Sequence, residues 1–323
     1  MDMMFVEDCC EILDSMRVPI TAADREEGEY PYYGANGIQD HVADYIFDDE
    51  LVLLAEDGGN FGSKERPIAY RVSGKCWVNN HAHVLKPKAG LDVDYLCYSL
   101  MFYKVDGMVN GATRQKLTQA AMRKMQIPSR SLEEQLHIVD ELNRIVKIKE
   151  QRQQELQLLD DLIKARFVEL FYDKGYPVLK WNDVFNTTTG KLDSNAAVED
   201  GEYPFFTCSK EVLRIDKFAF DQEALLLAGN NAAGKYDVKY YNGKFNAYQR
   251  TYVLGLKEEW SYQLFRYQLE DKLVYLQQQS LGGLTKYLTM KILGELDFII
   301  PPMEMQIEFE EFAKQVDKSK VVA

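Results

Sequence analysis

The most regular hydrophobic pattern lies in the middle of the chain, from residue 131 to about residue 172. No glycine or proline interrupts this stretch, and its apolar side chains recur every three or four residues. That spacing predicts one amphipathic helix, about 60 Å long at ~1.5 Å per residue. Its apolar positions are Leu132, Leu136, Val139, Leu142, Ile145, Leu156, Leu159, Ile163, Phe167 and Leu170. A second helix starts in the same way at Met303, but at most ~20 helical residues, or ~30 Å, fit before Ala323.

The segments that precede the two helices repeat each other. The matching pairs are residues 28–33 with 201–206, 45–55 with 218–228, and 111–118 with 282–289. The first pair reads Gly-Glu-Tyr-Pro-Tyr-Tyr and Gly-Glu-Tyr-Pro-Phe-Phe. A period of about 172 residues is too long for a solenoid unit, so it indicates a duplicated domain.

Short β-branched and aromatic runs separated by Gly/Asn turns predict strands within each copy. One helix is expected at 93–103 in the first copy and one at 261–276 in the second. The predicted fold class is therefore α+β, with two homologous mixed α/β domains that are each followed by a helix.

Composition narrows the class of protein. With 323 residues and 46% hydrophobic residues, the chain is typical of a globular protein of about two domains. A net charge of −13 argues against a surface that attracts nucleic acid everywhere, so any such site must be local. The five cysteines form no CxxC pair, and neither a signal peptide nor a membrane-spanning run is present, which predicts a cytoplasmic protein.

A glycine-rich segment at 229–235 fits the GxxxxGK pattern of a phosphate-binding loop. Tyr236 stands where that loop needs Ser or Thr, and a strand-like run follows in place of a helix, so nucleotide binding is not expected. The first copy carries a similar segment at 58–64. The glycines alone fit an ordinary hairpin loop, whereas the repeated Asn and Lys favour contact with phosphates or base edges.

A second pair of equivalent segments differs in its chemistry. The first copy has Asn79, Asn80, His81 and His83, and the second has Tyr248, Gln249 and Arg250. Gln and Arg suit bidentate contacts with adenine and guanine. The two histidines lack an obvious third metal ligand, so no metal site is predicted; a packed structural role and contact with DNA both remain open.

A basic cluster of Arg114, Lys116, Arg123, Lys124 and Arg130 precedes the long helix. Such a cluster is typical of a solvated helix face or of a phosphate contact. No Ser/His/Asp order, HExxH motif or methyltransferase Asn-Pro-Pro-Tyr signature is present. We therefore do not expect the chain to be an enzyme by itself.

The whole pattern resembles the specificity (S) subunit of type I restriction-modification systems. The marks of this resemblance are the Gly-x-Thr-Arg turn with Leu-Thr after it at 111–118, and Ile127-Pro128 leading through Leu-Glu-Glu-Gln at 132–135. Related marks recur in order at 282–289 and 300–306. The resemblance implies a DNA-recognition subunit whose two target-recognition domains each read one half of a bipartite sequence, with the helices paired as an antiparallel coiled coil. The implied domains are 1–130 (first target-recognition domain), 131–172 (central spacer helix), 173–302 (second target-recognition domain) and 303–323 (short C-terminal spacer helix).

The same resemblance implies partners and contact residues. Methyltransferase (M) subunits would bring S-adenosylmethionine, and restriction (R) subunits would bring ATP and Mg, so that this chain needs no cofactor of its own. The expected double-stranded DNA contacts are Asn60, Lys64, Asn79, Asn80, His81, His83, Arg114, Lys116, Asn230, Asn231, Lys235, Tyr248, Gln249, Arg250 and Lys286. The expected partner-binding helix positions are Leu136, Val139, Leu142, Leu156, Leu159, Ile163 and Phe167.

One departure from the family pattern is the short second helix, since the family's two helices are of similar length. It suggests a C-terminally truncated S subunit that associates with another chain through its helices or assembles poorly with M subunits. The alternative function is then a regulator or decoy that binds M subunits, or another S chain, without reading DNA productively.

Overall fold

The computed structural model describes residues 2–111, 114–232 and 234–322. It divides into two compact units, Met1–Glu150 and Gln151–Ala323, here called unit 1 and unit 2. Each unit contains a six-stranded sheet, and one long helix belongs partly to each unit. Within the described ranges, no helix has both the length and the apolar character that a membrane span requires.

Unit 1 is built on a mixed sheet. Its strands are β1 (Met3–Phe5), β2 (Cys10–Ile12), β3 (Glu27–Gly34), β4 (Gly37–Val42), β5 (Phe47–Ala55), β6 (Ala69–Val78), β7 (Ala82–Pro87), β8 (Val109–Asn110), β9 (Lys116–Leu117) and β10 (Gln126–Pro128). Its helices are α1 (Val6–Cys9), α2 (Val93–Met101), α3 (Gln119–Arg123) and the first part of α4 (Leu132–Phe171). The sheet order is β2-β7-β5-β6-β3-β4, and its neighbours are antiparallel except for the parallel pair β3 and β6.

The central strand β5 is buried on both faces. Leu51 and Leu53 pack into one apolar cluster, while Val52 and Leu54 face a second cluster that includes side chains of α2. Successive strand residues point to opposite faces, so a strand covered on both sides must be apolar throughout. This explains the continuous apolar run at the end of β5, and it gives the loop after β5 a rigid support.

Unit 2 repeats this topology. Its strands are β11 (Val178–Lys180), β12 (Phe185–Thr189), β13 (Tyr203–Phe206), β14 (Leu213–Ile215), β15 (Phe220–Ala228), β16 (Asn230–Asn231), β17 (Val238–Ala247), β18 (Thr251–Leu256), β19 (Lys286–Tyr287) and β20 (Asp297–Ile299). Its helices are the second part of α4, then α5 (Trp181–Val184), α6 (Tyr262–Asp271), α7 (Leu273–Gln279), α8 (Met290–Gly294) and α9 (Met303–Val322). The sheet order β12-β18-β15-β17-β13-β14 matches unit 1 strand for strand.

The match extends to the pairing of residues between strands. Val52 lies opposite Leu85 in unit 1, and Leu225 lies opposite Leu254 at the corresponding place in unit 2. The predicted α+β fold of two homologous mixed domains, each followed by a helix, is confirmed. Because the division into compact units falls inside α4, the predicted domain boundaries stay predictions.

The helix expected at 261–276 is in fact two helices. The chain turns at Lys272, which lies between α6 and α7 with φ −86° and ψ −4°. This turn lets Leu276 bury completely in the apolar cluster of unit 2. The expectation of one continuous helix was wrong because the burial of α7 depends on tertiary contacts that periodicity does not show.

A buried glutamine fastens each long helix to the domain before it. The Gln135 side-chain amide donates to the Arg130 carbonyl and accepts from the Asp92 backbone N–H at 2.8 Å. Gln306 makes the same kind of contact with the Ser261 backbone N–H, at 3.0 Å. Both glutamines are 1% exposed. The repeated Glu-x-Gln sequence at the helix starts, at 133–135 and 304–306, therefore marks the same attachment in both units.

In unit 2, the second half of α4 packs antiparallel to α9. Arg166 pairs with Glu308, while Asp160 pairs with Lys320 further toward the C-terminus of α9. The apolar contact between them contains the buried side chains Ile163, Phe171, Phe309 and Val316. The predicted antiparallel helix pair is present in this unit.

Candidate nucleic-acid interface

Three loops of unit 1 meet just beyond the end of β5. They comprise residues 56–61, 79–81 and 114–117, and are called loop surface 1. The Glu56 backbone N–H donates to the His81 carbonyl at 2.8 Å, and the Leu117 N–H donates to the Glu56 carbonyl at 2.7 Å. The Gly58 N–H donates to the Gln115 carbonyl at 3.1 Å. These bonds hold sequence-distant loops in a fixed arrangement.

Unit 2 builds the same surface from equivalent loops. Loop surface 2 comprises residues 229–232, 248–250 and 281–288. The Gly229 N–H donates to the Arg250 carbonyl, and the Leu288 N–H donates to the Gly229 carbonyl, both at 2.8 Å. Arg250 therefore occupies in unit 2 the backbone position that His81 occupies in unit 1. The backbone frame is common to both units, whereas the side chains on it differ.

The backbone conformation at Gly111 of unit 1 and Gly282 of unit 2 requires glycine. Gly111 and Gly282 have φ of 102° and 101°, in the left-handed region that favours glycine. A Cβ at Gly111 would lie 2.4 Å from the Arg114 carbonyl oxygen, and one at Gly282 would lie 2.2 Å from the Thr285 carbonyl oxygen. The repeated glycine thus has the same backbone conformation and the same close approach to a carbonyl oxygen in both units.

Asp57 organises the side chains of loop surface 1. Its Oδ1 accepts from Nη2 of Arg114 at 2.8 Å and lies 2.6 Å from Nδ1 of His81. The Arg114 guanidinium lies against Gly58, where an added Cβ would come within 3.0 Å of Nε. The Arg114 side chain is 58% exposed and the Asp57 side chain only 19% exposed. A largely shielded carboxylate therefore holds a guanidinium that faces solvent.

A buried ion-pair network lies beneath this surface. Nδ1 of His83 lies 2.7 Å from Oδ2 of Asp14, and Nε2 lies 2.9 Å from the Leu117 carbonyl oxygen. Glu56 pairs with Arg17 at 2.6 Å and with Lys116 at 2.9 Å. This network ties β7 to the loop that carries Lys116.

Asp14, Glu56 and His83 lie close enough together to suggest a metal site. Their oxygens already face cationic or donor side chains, which include Arg17 and Gln119. Burial by itself raises the pKa of Asp14, but hydrogen bonds and the charge of His83 outweigh it and leave that pKa below its usual value. Burial opposes ionisation of Glu56 as well, and its bonds to the neighbouring cations lower that pKa overall. The arrangement is that of an ion-pair network.

Loop surface 2 has a different set of side chains. Nε2 of Gln249 donates to Oδ2 of Asp193 at 3.3 Å, while the Arg250 and Lys235 side chains are exposed. Leu284, at the tip of the 281–288 loop, is 95% exposed. An apolar side chain in this position can contact a thymine methyl group.

The structure separates the predicted DNA contacts into three groups. The first group lies on the loop surfaces and is at least partly exposed. It consists of Asn60, Asn80, His81, Arg114 and Lys116 in unit 1, and of Asn230, Asn231, Tyr248, Gln249, Arg250 and Lys286 in unit 2. Lys64 and Lys235 lie further along the loops that follow β5 and β15, and Lys64 lines a groove with residues 101–106. Asn79 and His83 are buried, at 3% and 0% exposure.

The expectation that Asn79 and His83 contact DNA directly was wrong, because both side chains are buried. His83 is held by Asp14 and the Leu117 carbonyl, and the Asn79 side chain contacts Gln39 and the His81 backbone N–H. Both support loop surface 1 from below and do not reach its exterior. Alternation along a strand put both His81 and His83 on one face, but it could not show which of them the loops would cover.

Sequence reasoning missed Asp57 and Leu284. Asp57 could have been noticed from the repeat, because it stands where the second copy has Asn230. An acid that replaces an amide at an equivalent loop position is a signal for a cationic neighbour. Leu284 has no such signal, because an isolated leucine in a sequence is usually buried.

The predicted partner-binding positions on α4 also differ in how exposed they are. Val139 and Ile163 are buried within their own units, and Leu159 and Phe167 pack against the unit 2 helix cluster. Leu142 lines a groove beside Tyr98 of α2. Leu136 and Leu156 are 49% and 37% exposed.

Comparison with known proteins adds independent information. Residues 1–158 and 173–321 match the family model of the type I restriction modification DNA specificity domain. A 94-residue stretch is 49% identical to the type I restriction enzyme EcoDI specificity subunit of Escherichia coli, covering 28% of this chain and 20% of that protein. A 143-residue stretch is 35% identical to the putative type I restriction enzyme specificity subunit S.HindORF215P of Haemophilus influenzae, covering 44% of this chain and 37% of that protein. The matches thus span less than two fifths of either relative.

Solved structures show the same fold at low sequence identity. The type I restriction-modification system S subunit from M. genitalium superposes with a TM-score of 0.62 at 13% identity, covering 99% of this chain and 90% of that one. A chain from a study of complex assembly and conformational transition of the type I R-M system gives a TM-score of 0.51 at 13% identity, with 99% and 91% coverage. The family model matches both halves of the sequence, and the chain therefore belongs to the type I restriction-modification DNA specificity family.

Proposed function

We propose that the chain is a non-catalytic DNA-recognition subunit in which loop surfaces 1 and 2 each contact one half of a bipartite target. The observation that carries this proposal is one backbone frame, built twice, with different polar side chains on it. His81 and Asp57 in unit 1 correspond to Arg250 and Asn230 in unit 2. Two different half-sites require different base-contacting side chains on the same support.

Local charge fits this role. The chain as a whole carries a charge of −13, yet Arg114, Lys116, Lys235 and Arg250 are exposed on or beside the loop surfaces. Phosphate contacts from such side chains would position the DNA, and base contacts would select the sequence.

The family relationship also supports proposed partners. M subunits carrying S-adenosylmethionine, and R subunits using ATP and Mg, would supply the chemistry in the cytoplasm. Leu136 and Leu156, exposed on α4, offer apolar contact to such a subunit. The alternative of a regulator or decoy receives no support from the relatives.

The test is to co-express the full chain with type I M subunits that co-purify with it and to map methylated sites by sequencing. We expect one bipartite methylated motif. Gln249→Ala and Arg250→Ala should change only the half-site that unit 2 reads, and Lys217→Ala, in an exposed turn just before β15, should change neither half.

Two results would contradict the proposal. A stable complex that methylates no defined motif favours the decoy. Loss of M-subunit binding in the Arg250→Ala variant, with sequence preference intact, would show that loop surface 2 contacts protein and not DNA.

A further inference from the structure

We infer that Arg114 reads a guanine in the half-site of unit 1 and that Asp57 is its positioning residue. The inference rests on the proposed DNA-recognition function and identifies one specificity-determining contact within it. It comes from the geometry around Arg114. Asp57 holds the guanidinium through Nη2, and the other N–H donors of the group face solvent.

The guanidinium is held through Nη2. This nitrogen donates to Oδ1 of Asp57 at 2.8 Å, and the group lies against Gly58. Nη2 also lies 3.5 Å from Nδ1 of His81, but Nδ1 lies 2.6 Å from the Asp57 carboxylate and donates there, so it does not accept the second N–H of Nη2. Among the described residues, Nε and Nη1 have no hydrogen-bond partner. A guanidinium has five N–H donors in a planar fork, so a pair of donors remains for the O6 and N7 acceptors of guanine.

The support under Arg114 distinguishes it from an ordinary surface ion pair. Most exposed pairs contribute little because both side chains stay mobile. Here the carboxylate is largely shielded and also binds His81 at 2.6 Å. Gly58 has no side chain, and a Cβ at this position would crowd the Arg114 guanidinium. Because Arg114 is ordered before binding, less side-chain entropy is lost when it meets DNA.

Unit 2 lacks this arrangement. Asn230 stands in place of Asp57 and Thr285 in place of Arg114, while an exposed guanidinium, Arg250, is carried by the 248–250 loop at the place of His81. The two surfaces therefore present arginine from different loops. The Arg114 contact should affect the half-site of unit 1 alone.

The test measures sequence preference with the full chain, in complex with M subunits, on a randomised double-stranded DNA library. Arg114→Lys keeps the positive charge but loses the planar fork. We expect preference for one guanine in one half-site to fall roughly 5- to 150-fold, the range of a lost bidentate contact. The other half-site should be unchanged. Asp57→Asn should weaken the same base preference, because the neutral amide holds Arg114 less firmly.

The pair Asp49 and Lys86 provides the matched control. These side chains form an ion pair at 2.5 Å on strands of unit 1, outside loop surface 1. Asp49→Asn and Lys86→Ala should leave every base preference unchanged. Thermal unfolding of each variant checks that the fold is retained.

Two outcomes overturn the inference, and they differ from failure of the proposed function. If Arg114→Lys leaves all base preferences intact while Arg114→Ala weakens binding to every sequence equally, Arg114 is a phosphate contact. If the affected position prefers a base other than guanine, the assigned contact is wrong. If the wild-type complex selects no sequence at all, the proposed function itself fails.

Discussion

At the scale of single residues, His83 shows how a buried polar side chain can support loop surface 1 from below without being exposed on it. Both of its ring nitrogens face oxygen atoms, Oδ2 of Asp14 and the carbonyl of Leu117. The ring is 0% exposed and Asp14 is 7% exposed, so this contact lies inside unit 1 and fixes the orientation of the imidazole.

This network predicts a specific pH dependence. The pKa of Asp14 is lowered in the folded protein from an ordinary value of 3.8. A lowered carboxyl pKa stabilises the fold above the unfolded-state value, and that stability is lost as the pH falls through the folded-state value. Asp14→Asn should therefore lower the free energy of unfolding by about 1.5–3 kcal/mol at pH 7. Denaturant titrations at several pH values should show this difference shrinking below about pH 4; a difference that grows on acidification would contradict it.

At the scale of elements, the repeated Glu-x-Gln motif attaches the starts of the long helices, whereas apolar packing holds the helix pair of unit 2 together. Gln135 and Gln306 fasten the helix starts through hydrogen bonds. Beyond its start, α9 is held by apolar packing, where Phe309 contacts Phe167 and Phe171 with ring centroids 5.7 and 5.6 Å apart. The polar attachment sets where the helix starts, and the aromatic contacts set its pairing.

Phe309→Ala should therefore destabilise unit 2 strongly. The ring is 0% exposed, and truncation of a buried phenylalanine typically costs about 3–5 kcal/mol. Ile307→Ala is the control, because that neighbour on α9 is 48% exposed and its loss should cost little. Thermal unfolding by circular dichroism compares the two. If Phe309→Ala lowered the stability as little as Ile307→Ala does, the α4–α9 contact would be weaker than its packing suggests.

At the scale of the whole molecule, a duplicated fold carries two diverged surfaces on an acidic chain. The sheets agree strand for strand, and Gly111 and Gly282 have the same left-handed backbone conformation. The exposed side chains on that common frame differ, as Arg114 and Thr285 illustrate. If the chain acts as proposed, a net charge of −13 makes DNA affinity depend on the few cations that reach the phosphates.

Lys235 tests this dependence. If it contacts a phosphate, Lys235→Ala should weaken binding to all sequences alike and reduce the slope of log affinity against log salt by about 1. Fluorescence anisotropy with the complex across a salt series measures both effects. A change in base preference with an unaltered slope would instead make Lys235 a base contact.

Much of this molecule could be predicted from sequence because the signals are local or repetitive. The 3/4 spacing of α4 reports its helical period directly, and the shared Gly-Glu-Tyr-Pro sequence at 28–31 and 201–204 reveals the duplication without any knowledge of contacts. Those features determined the fold class, the central helix and the expectation of two diverged recognition loops.

Tertiary structure decided which loop residues work together. Asp57 and Arg114 are 57 positions apart in the chain, and Asp14 and His83 are 69 apart. Such pairs meet only because β5, β7 and the loop before α3 converge, so neither periodicity nor composition indicates them. Burial of His83, exposure of Leu284 and the holding of Arg114 by Asp57 are consequences of that convergence, whereas the repeat and the long helix were already determined by the order of residues along the chain.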